Sequence, residues 1–219
     1  MELFKRIAES IKRDKEAPAA DSPATGRKDY PGKGTGENKK RAKGKKKRSE
    51  KQRACNAEFQ AQRKLYTAFR AVVMVVCPAW ELFAAWMRRA AHSGDNCFHA
   101  VNHKYMDGDK VGCPALFHFS LGKLAMPWDM QAAREGNLVL FTWYDERDCP
   151  HARGSDRLIV GVLYDEHRGR PVLAETHALR SHGAANIVLD PKYGVRVHVY
   201  PFFEQADKRA YSDDQHYEV

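Results

Sequence analysis

Near residue 110 the hydrophobic period of the chain changes from helical to two, and that change limits the folds open to it. Beyond it, Leu116–Leu121, Leu138–Trp143, Arg157–Tyr164, Pro171–Glu175, Asn186–Asp190, Gly194–Phe202 and a last piece near Tyr211–Tyr217 are short apolar or alternating runs divided by turn residues. No helix-length interval separates them, so antiparallel pairing is expected in place of βαβ units. The expected architecture of residues 111–219 is an antiparallel β-sandwich of fibronectin III or immunoglobulin character, without the Cys-Trp-Cys arrangement of a true immunoglobulin domain. Within Leu138–Trp143, alternation puts Val139, Phe141 and Trp143 on one face and Leu138, Leu140 and Thr142 on the other. The face with the aromatic rings is expected to point inward.

Before the change the spacing is helical. Phe59, Gln62, Tyr66, Phe69, Val73 and Val76 recur at three- and four-residue intervals, one face of a long helix that starts near Ser49-Glu50. Pro78 should end or kink it, since proline has no N–H and its ring clashes with the preceding turn. A second piece carries Trp80, Leu82, Phe83, Trp86 and Met87, a breaker follows at 92–96, and Phe98, Val101 and Tyr105 mark a short third helix. Residues 54–110 therefore read as a helical, hairpin-like segment and the whole as α+β. Ala71–Met87 is nearly all apolar, but Pro78 and Glu81 interrupt it, so it reads as a buried helical pair and no membrane partner is expected.

Charge divides the chain differently. The 219 residues carry a formal net charge of +9, with 18 basic against 8 acidic residues up to residue 53 and 19 against 20 after it. Lys39, Lys40, Arg41, Lys43, Lys45, Lys46, Lys47, Arg48, Lys51 and Arg53 are accompanied by one acid, Glu50, and by no aromatic ring on which a base could stack. Such a run buries too little apolar surface to offset its ordering entropy, so residues 1–53 are expected to be a disordered basic arm. Leu3, Phe4, Ile7 and Ile11 would make a short amphipathic helix at its start, marginal when isolated. An arm of this kind binds nucleic acid or another polyanion through phosphates, without reading sequence. Its alternative role is that of a solubilising linker.

Three patterns invite a chemical reading. Cys97, His99 and His103, with Cys113 and His118 beyond them, offer zinc-type ligands, yet contain no tight cysteine pair. Cys149 and His151 offer a thiol near an imidazole, in a charged stretch that fits a solvated loop better. Gly32–Gly36 is glycine-rich, but Gly34 follows Lys33 where a phosphate loop has Ser or Thr, and no strand leads into it. No catalytic, cofactor or metal site is assigned on these grounds, and no cofactor is expected. Five cysteines without a C-x-x-C pair favour a reducing compartment, and the N-terminus has no apolar stretch of secretory type, so a cytoplasmic location is expected.

A series of landmarks runs through the last three quarters of the chain: Ala61-Gln62, Phe69, Pro78, Phe98-His99-Ala100, Pro114–Phe117, Phe141–Asp145, Asp156, Tyr164, Ala178–Ser181 and Ser212–Gln215. In order and spacing these resemble a bacterial family called domain of unknown function 6266, over residues 58–219. Tyr66 stands where that family tends to have arginine, and His216 where it tends to have tyrosine. The resemblance implies a cytosolic protein with a helical first half and a sandwich-like second half, and implies no activity. The sequence reading is a non-enzymatic interaction or structural protein with a flexible basic arm and a protein partner; the alternative is a nucleic-acid-associated protein that works through residues 39–53.

Overall fold

The computed structural model describes residues 48–74, 78–87, 93–145 and 151–219. Helix α1 spans Glu50–Phe69, in a sequence rich in Glu, Lys, Gln, Arg and Ala, all good helix formers. It buries only Leu65, Tyr66 and Phe69 near its end, and continues as a wider π-helical turn over Arg70–Met74. Helix α2 (Ala79–Trp86) starts directly after Pro78, where a missing N–H costs nothing. Helix α3 (Gly94–Asn102) begins at what the sequence presents as a breaker, because Ser93 caps it by accepting from Asn96 N at 3.4 Å.

A two-residue hairpin, β1 (Met106–Asp107) with β2 (Lys110–Val111), closes this helical part. The other strands are β3 (Trp128–Glu135), β4 (Leu138–Tyr144), β5 (Arg157–Tyr164), β6 (Val172–Leu179), β7 (Ala184–Val188), β8 (Val197–Glu204) and β9 (Tyr217–Glu218). They form two sheets of order β3-β4-β7 and β6-β5-β8-β9, antiparallel throughout. The fold is thus α+β, with helices and antiparallel sheets segregated along the chain.

The sheets face each other across one core. Val139, Phe141 and Trp143 of β4 and Ala185 and Ile187 of β7 meet Leu158, Val160, Val162 and Tyr164 of β5 and Val197, Val199 and Phe203 of β8. The inward face of β4 is the one expected. The opposite face of β5 and β8 is covered too, so both strands are almost wholly buried. Rings of Phe69, Phe98, Phe117, Phe119 and Tyr200 stack edge-on or tilted there, with centroids 4.6–5.9 Å apart. Gly161 makes this possible, because a Cβ on it would lie 2.4 Å from Phe119. Glu50–Val219 form one compact unit in which helices and sheets share this packing.

Three sequence expectations need correction. Lys51 and Arg53, counted with the arm 1–53, lie in the first turn of α1, which begins at Glu50, where the expected helix start near Ser49-Glu50 puts it; residues 1–47 lie outside the described residues. Leu116–Leu121 is not a strand: a 3-10 turn over Pro114–Leu116 leads into an extended segment bonded largely to side chains. Conversely β3, with Gln131, Ala132, Ala133, Arg134 and Glu135, lies outside the expected strands, and pairs along β4 from Trp128↔Tyr144 to Glu135↔Leu138.

Candidate functional site

The extended segment 117–124 is where buried polar chemistry concentrates. Its apolar residues Phe117, Phe119 and Leu121 are buried, yet its backbone has few strand neighbours, so side chains supply the partners. Asn102, at the end of α3, makes a reciprocal pair of hydrogen bonds with His118: its Nδ2 donates to the His118 carbonyl and its Oδ1 accepts from His118 N, both at 2.9 Å. Asp214 accepts from Phe119 N at 2.6 Å and from His118 Nδ1 at 2.7 Å. Asp213 accepts from Gly122 N at 2.9 Å, Ser120 Oγ donates to the Ser212 carbonyl at 2.8 Å, and Trp80 Nε1 donates to the Phe119 carbonyl at 2.8 Å. The run Ser212-Asp213-Asp214 therefore ties segment 117–124 to β8, for Ser212 also exchanges backbone and hydroxyl bonds with Phe203.

Electrostatics follow from that geometry. Burial disfavours charge on His118, but the hydrogen bond and charge of Asp214 outweigh it and hold the imidazole above its ordinary pKa. Burial pushes Asp213 up to about 6, against the opposing bond from Gly122, with the Asp214 charge adding to the rise. A carboxyl raised in the folded state binds protons that the unfolded chain has released, so its contribution falls as pH rises through about 4 to 6 and stays unfavourable above. Asp213→Asn keeps an oxygen for Gly122 N and removes the charge. It is expected to be about 1–2 kcal/mol more stable than the parent at pH 7 and no more stable near pH 4. Urea unfolding at the two pH values reads the difference, and equal stability at pH 7 would refute the account.

A second group sits on the same side of sheet β6-β5-β8-β9. His198 Nδ1 lies 3.0 Å from His216 Nε2, and His198 Nε2 lies 3.3 Å from Asp165 Oδ1. Arg168 Nε donates to that same carboxylate oxygen at 2.7 Å, and with the His198 bond holds Asp165 below the usual carboxylate range. Burial, then the facing His198, lowers His216. One ring nitrogen of the pair donates and the other accepts, so a single N–H bridges the two rings.

The third group lies within the core. Arg180 and Asp156 are fully buried, with Nε 3.7 Å from Oδ2. The guanidinium rests 4.5 Å over the Phe203 ring and donates to the Ala125 carbonyl, while the Arg180 carbonyl accepts from Trp143 Nε1 at 2.7 Å. Asp156 Oδ2 accepts from Arg153 N at 2.8 Å; burial raises its pKa despite that bond and the nearby Arg180 charge.

The sequence-level candidates separate in space. His103 Nδ1 bonds the His99 carbonyl at 2.8 Å, the His99 ring packs against Tyr66 at 5.2 Å, and His118 is taken by Asp214. Among the described residues no group of three or more His, Cys, Asp or Glu could hold a metal ion. Cys149, Gly32–Gly36 and arm residues Lys39–Lys47 lie outside the described residues; Arg48, Lys51 and Arg53 are exposed, as is His151. No described helix is long and apolar enough to cross a membrane. Two small cavities open among the described residues, about 210 Å³ at Leu82, Phe83, Trp86 and Tyr211 and about 270 Å³ at Lys123, His151, Arg153 and Gln205.

Sequence reasoning gives Arg180, Asp156 and Ser212–Asp214 only as landmarks, and does not single out Asn102, His198 or Asp165 at all. The available signal was parity: His198 is a polar residue inside the run Val197–Phe203, whose neighbours are apolar on both faces. Compared with models of known protein families, the chain matches none, and a search of curated proteins finds no match.

Proposed function

We propose that this is a non-enzymatic interaction or structural protein, built on a fibronectin III-like sandwich and related to the domain of unknown function 6266 family. The observation that carries the reading is the use made of its buried polar side chains. Asn102, Ser212, Asp213 and Asp214 are spent on backbone groups of neighbouring segments, the work of clamps that hold a scaffold. A carboxylate that orients an imidazole is also half of a general base, but the second oxygen of Asp214 is committed to Phe119 N. The finer fold assignment is supported by strand order. Lettering β3, β4, β5, β6, β7, β8 and β9 as A, B, C, C′, E, F and G turns the sheets into A-B-E and C′-C-F-G. The free thiols Cys55 and Cys113 support a reducing, cytoplasmic setting. Affinity capture from the source cell with the full chain should return a defined protein partner that survives about 0.5 M salt; substrate turnover by the purified protein would overturn the reading.

Charge asymmetry favours a second reading, a nucleic-acid-associated protein that holds phosphate backbones through residues 39–53. If that run neutralises roughly five to eight phosphates, log K against log salt should slope about −4 to −7 on duplex DNA, with little dependence on base sequence. Removing residues 1–53 would cut into α1, so the test replaces Lys45, Lys46, Lys47 and Arg48 with alanine instead. The slope should flatten by about two to four units while the unfolding curve stays in place. Wild-type protein that passes through DNA and heparin columns at low salt would sink this second reading.

A further inference from the structure

Strand β4 reads Leu-Val-Leu-Phe-Thr-Trp-Tyr, apolar on both faces, a pattern expected of a strand covered on both sides. Its neighbours in the other sheet, β5 and β8, have that pattern and that cover: one face meets the opposite sheet and the other meets the helical layer. The outer face of β4 has no such cover among the described residues. Tyr144 is 69% exposed and its cross-strand partner Trp128 63%; Leu140 is 44% exposed in mid-strand; Leu138 is 40% exposed and its partner Val188 75%. All five project from the same side of sheet β3-β4-β7, and among the residues paired on that side Glu135, at the hairpin end, is the single charged one.

We propose that this face is a self-association surface, on which a second copy of the chain stacks sheet on sheet. The inference deepens the interaction reading above by naming the partner, and rests on it. Two observations select a second copy. The first is area: the five side chains expose on the order of 600 Å², and Gln131, Ala133 and Thr142 between them bring the face to about 800 Å², what each partner contributes to a stable interface of standard size. Its apolar part, about 600 Å², stands at the upper end of what the largest patch on a monomer exposes. The second is charge. The chain carries +9, so two copies repel at long range, yet the paired residues of this face oppose nothing charged but one glutamate at its edge. A nearly uncharged, gently twisted sheet can meet its own image in an isologous contact, with the two sheets about 10 Å apart. An acidic partner would find no complementary group among the paired residues, and a basic one only Glu135 at the edge, with Asp129 at the bulge beside Trp128.

The test is sedimentation of the full chain, treated with nuclease, from about 1 to 100 μM at about 0.5 M salt, where phosphate-directed binding has collapsed and apolar burial has not. Wild type is expected to sediment at twice the chain mass. Leu140→Glu, in the centre of the face, should raise the dimer dissociation constant by about 30-fold or more, and Val188→Glu, on an edge strand, should do so with less demand on folding. Val172→Glu, on the other sheet, is also an exposed apolar position and should leave the mass doubled. Circular dichroism identifies the folded variants, and Val188→Glu decides the matter if Leu140→Glu does not fold. A single chain mass for wild type over the whole range overturns the proposal, as does a doubled mass that folded Val188→Glu leaves unchanged. Either result leaves the capture and salt-slope experiments to judge the broader readings separately.

Discussion

Arg180→Met is expected to lower the unfolding free energy by about 3–5 kcal/mol, the loss that follows when one member of a buried ion pair is removed. Methionine refills most of the volume and can lie against the Phe203 ring as the guanidinium does, so the loss isolates charge and hydrogen bonding rather than a cavity. Two groups are left without their partner. The Ala125 carbonyl loses its guanidinium donor, and the Asp156 carboxylate keeps Arg153 N at 2.8 Å but has no buried cation beside it. Burial already raises Asp156 with Arg180 in place, so without it the carboxyl rises further.

That rise gives the experiment a second readout. A carboxyl whose folded pKa lies above its unfolded value takes up a proton on folding, and stability then falls as pH rises through the window between the two. The deficit of Arg180→Met should accordingly be smaller at pH 5 than at pH 7. Adding Asp156→Asn to Arg180→Met should recover part of the loss at pH 7, because it removes the orphaned charge and keeps an oxygen for Arg153 N. Denaturant unfolding of the two single variants and the double variant measures the coupling directly. Additive losses would show that the two side chains do not act as a pair.

How far this arrangement could be read from the sequence depended on the range of the interactions. Helices α1 and α2, the change of period and the inward face of β4 come from local spacing and lie where it puts them, whereas α3 starts at Gly94, inside the expected breaker. β3 escapes the reading because Gln131, Ala132, Ala133, Arg134 and Glu135 are poor strand formers; its sheet position comes from pairing with β4. A usable signal follows it, Gly136-Asn137 ahead of an apolar run, and Gly136 does adopt φ 58° in the turn. Leu116–Leu121 fails in the opposite way. The alternation reports the burial of Phe117, Phe119 and Leu121 correctly, but burial does not say whether the partner of a backbone group is a strand or a side chain from 95 residues away, as Asp214 is to Phe119. The same limit hides Arg180–Asp156 and His198–His216, since neither local period nor local composition encodes a pairing between distant segments.

Trp143→Ala should cost about 3–5 kcal/mol, the range for deleting a buried aromatic side chain, and for a chain of this size that lowers the melting temperature by about 6–20 °C. The indole lies in the core between the sheets, with its ring 5.5 Å from that of Phe203 in an edge-on arrangement. Its Nε1 donates to the Arg180 carbonyl at 2.7 Å, so the ring also fixes the backbone that carries the buried guanidinium. Alanine opens a cavity and leaves that carbonyl without its donor, and the two losses can be separated. Trp143→Phe restores most of the apolar contact but not the N–H, and its cost should fall to about 1–2 kcal/mol, the share of a buried acceptor left unpaired. Thr142→Ala, one residue away on the exposed side of the same strand, should stay within about 0.5 kcal/mol of the parent. Calorimetry should therefore rank Trp143→Ala least stable, Trp143→Phe between, and Thr142→Ala most stable. A Trp143→Ala protein that melts with the parent would mean that this residue does not pack between the sheets.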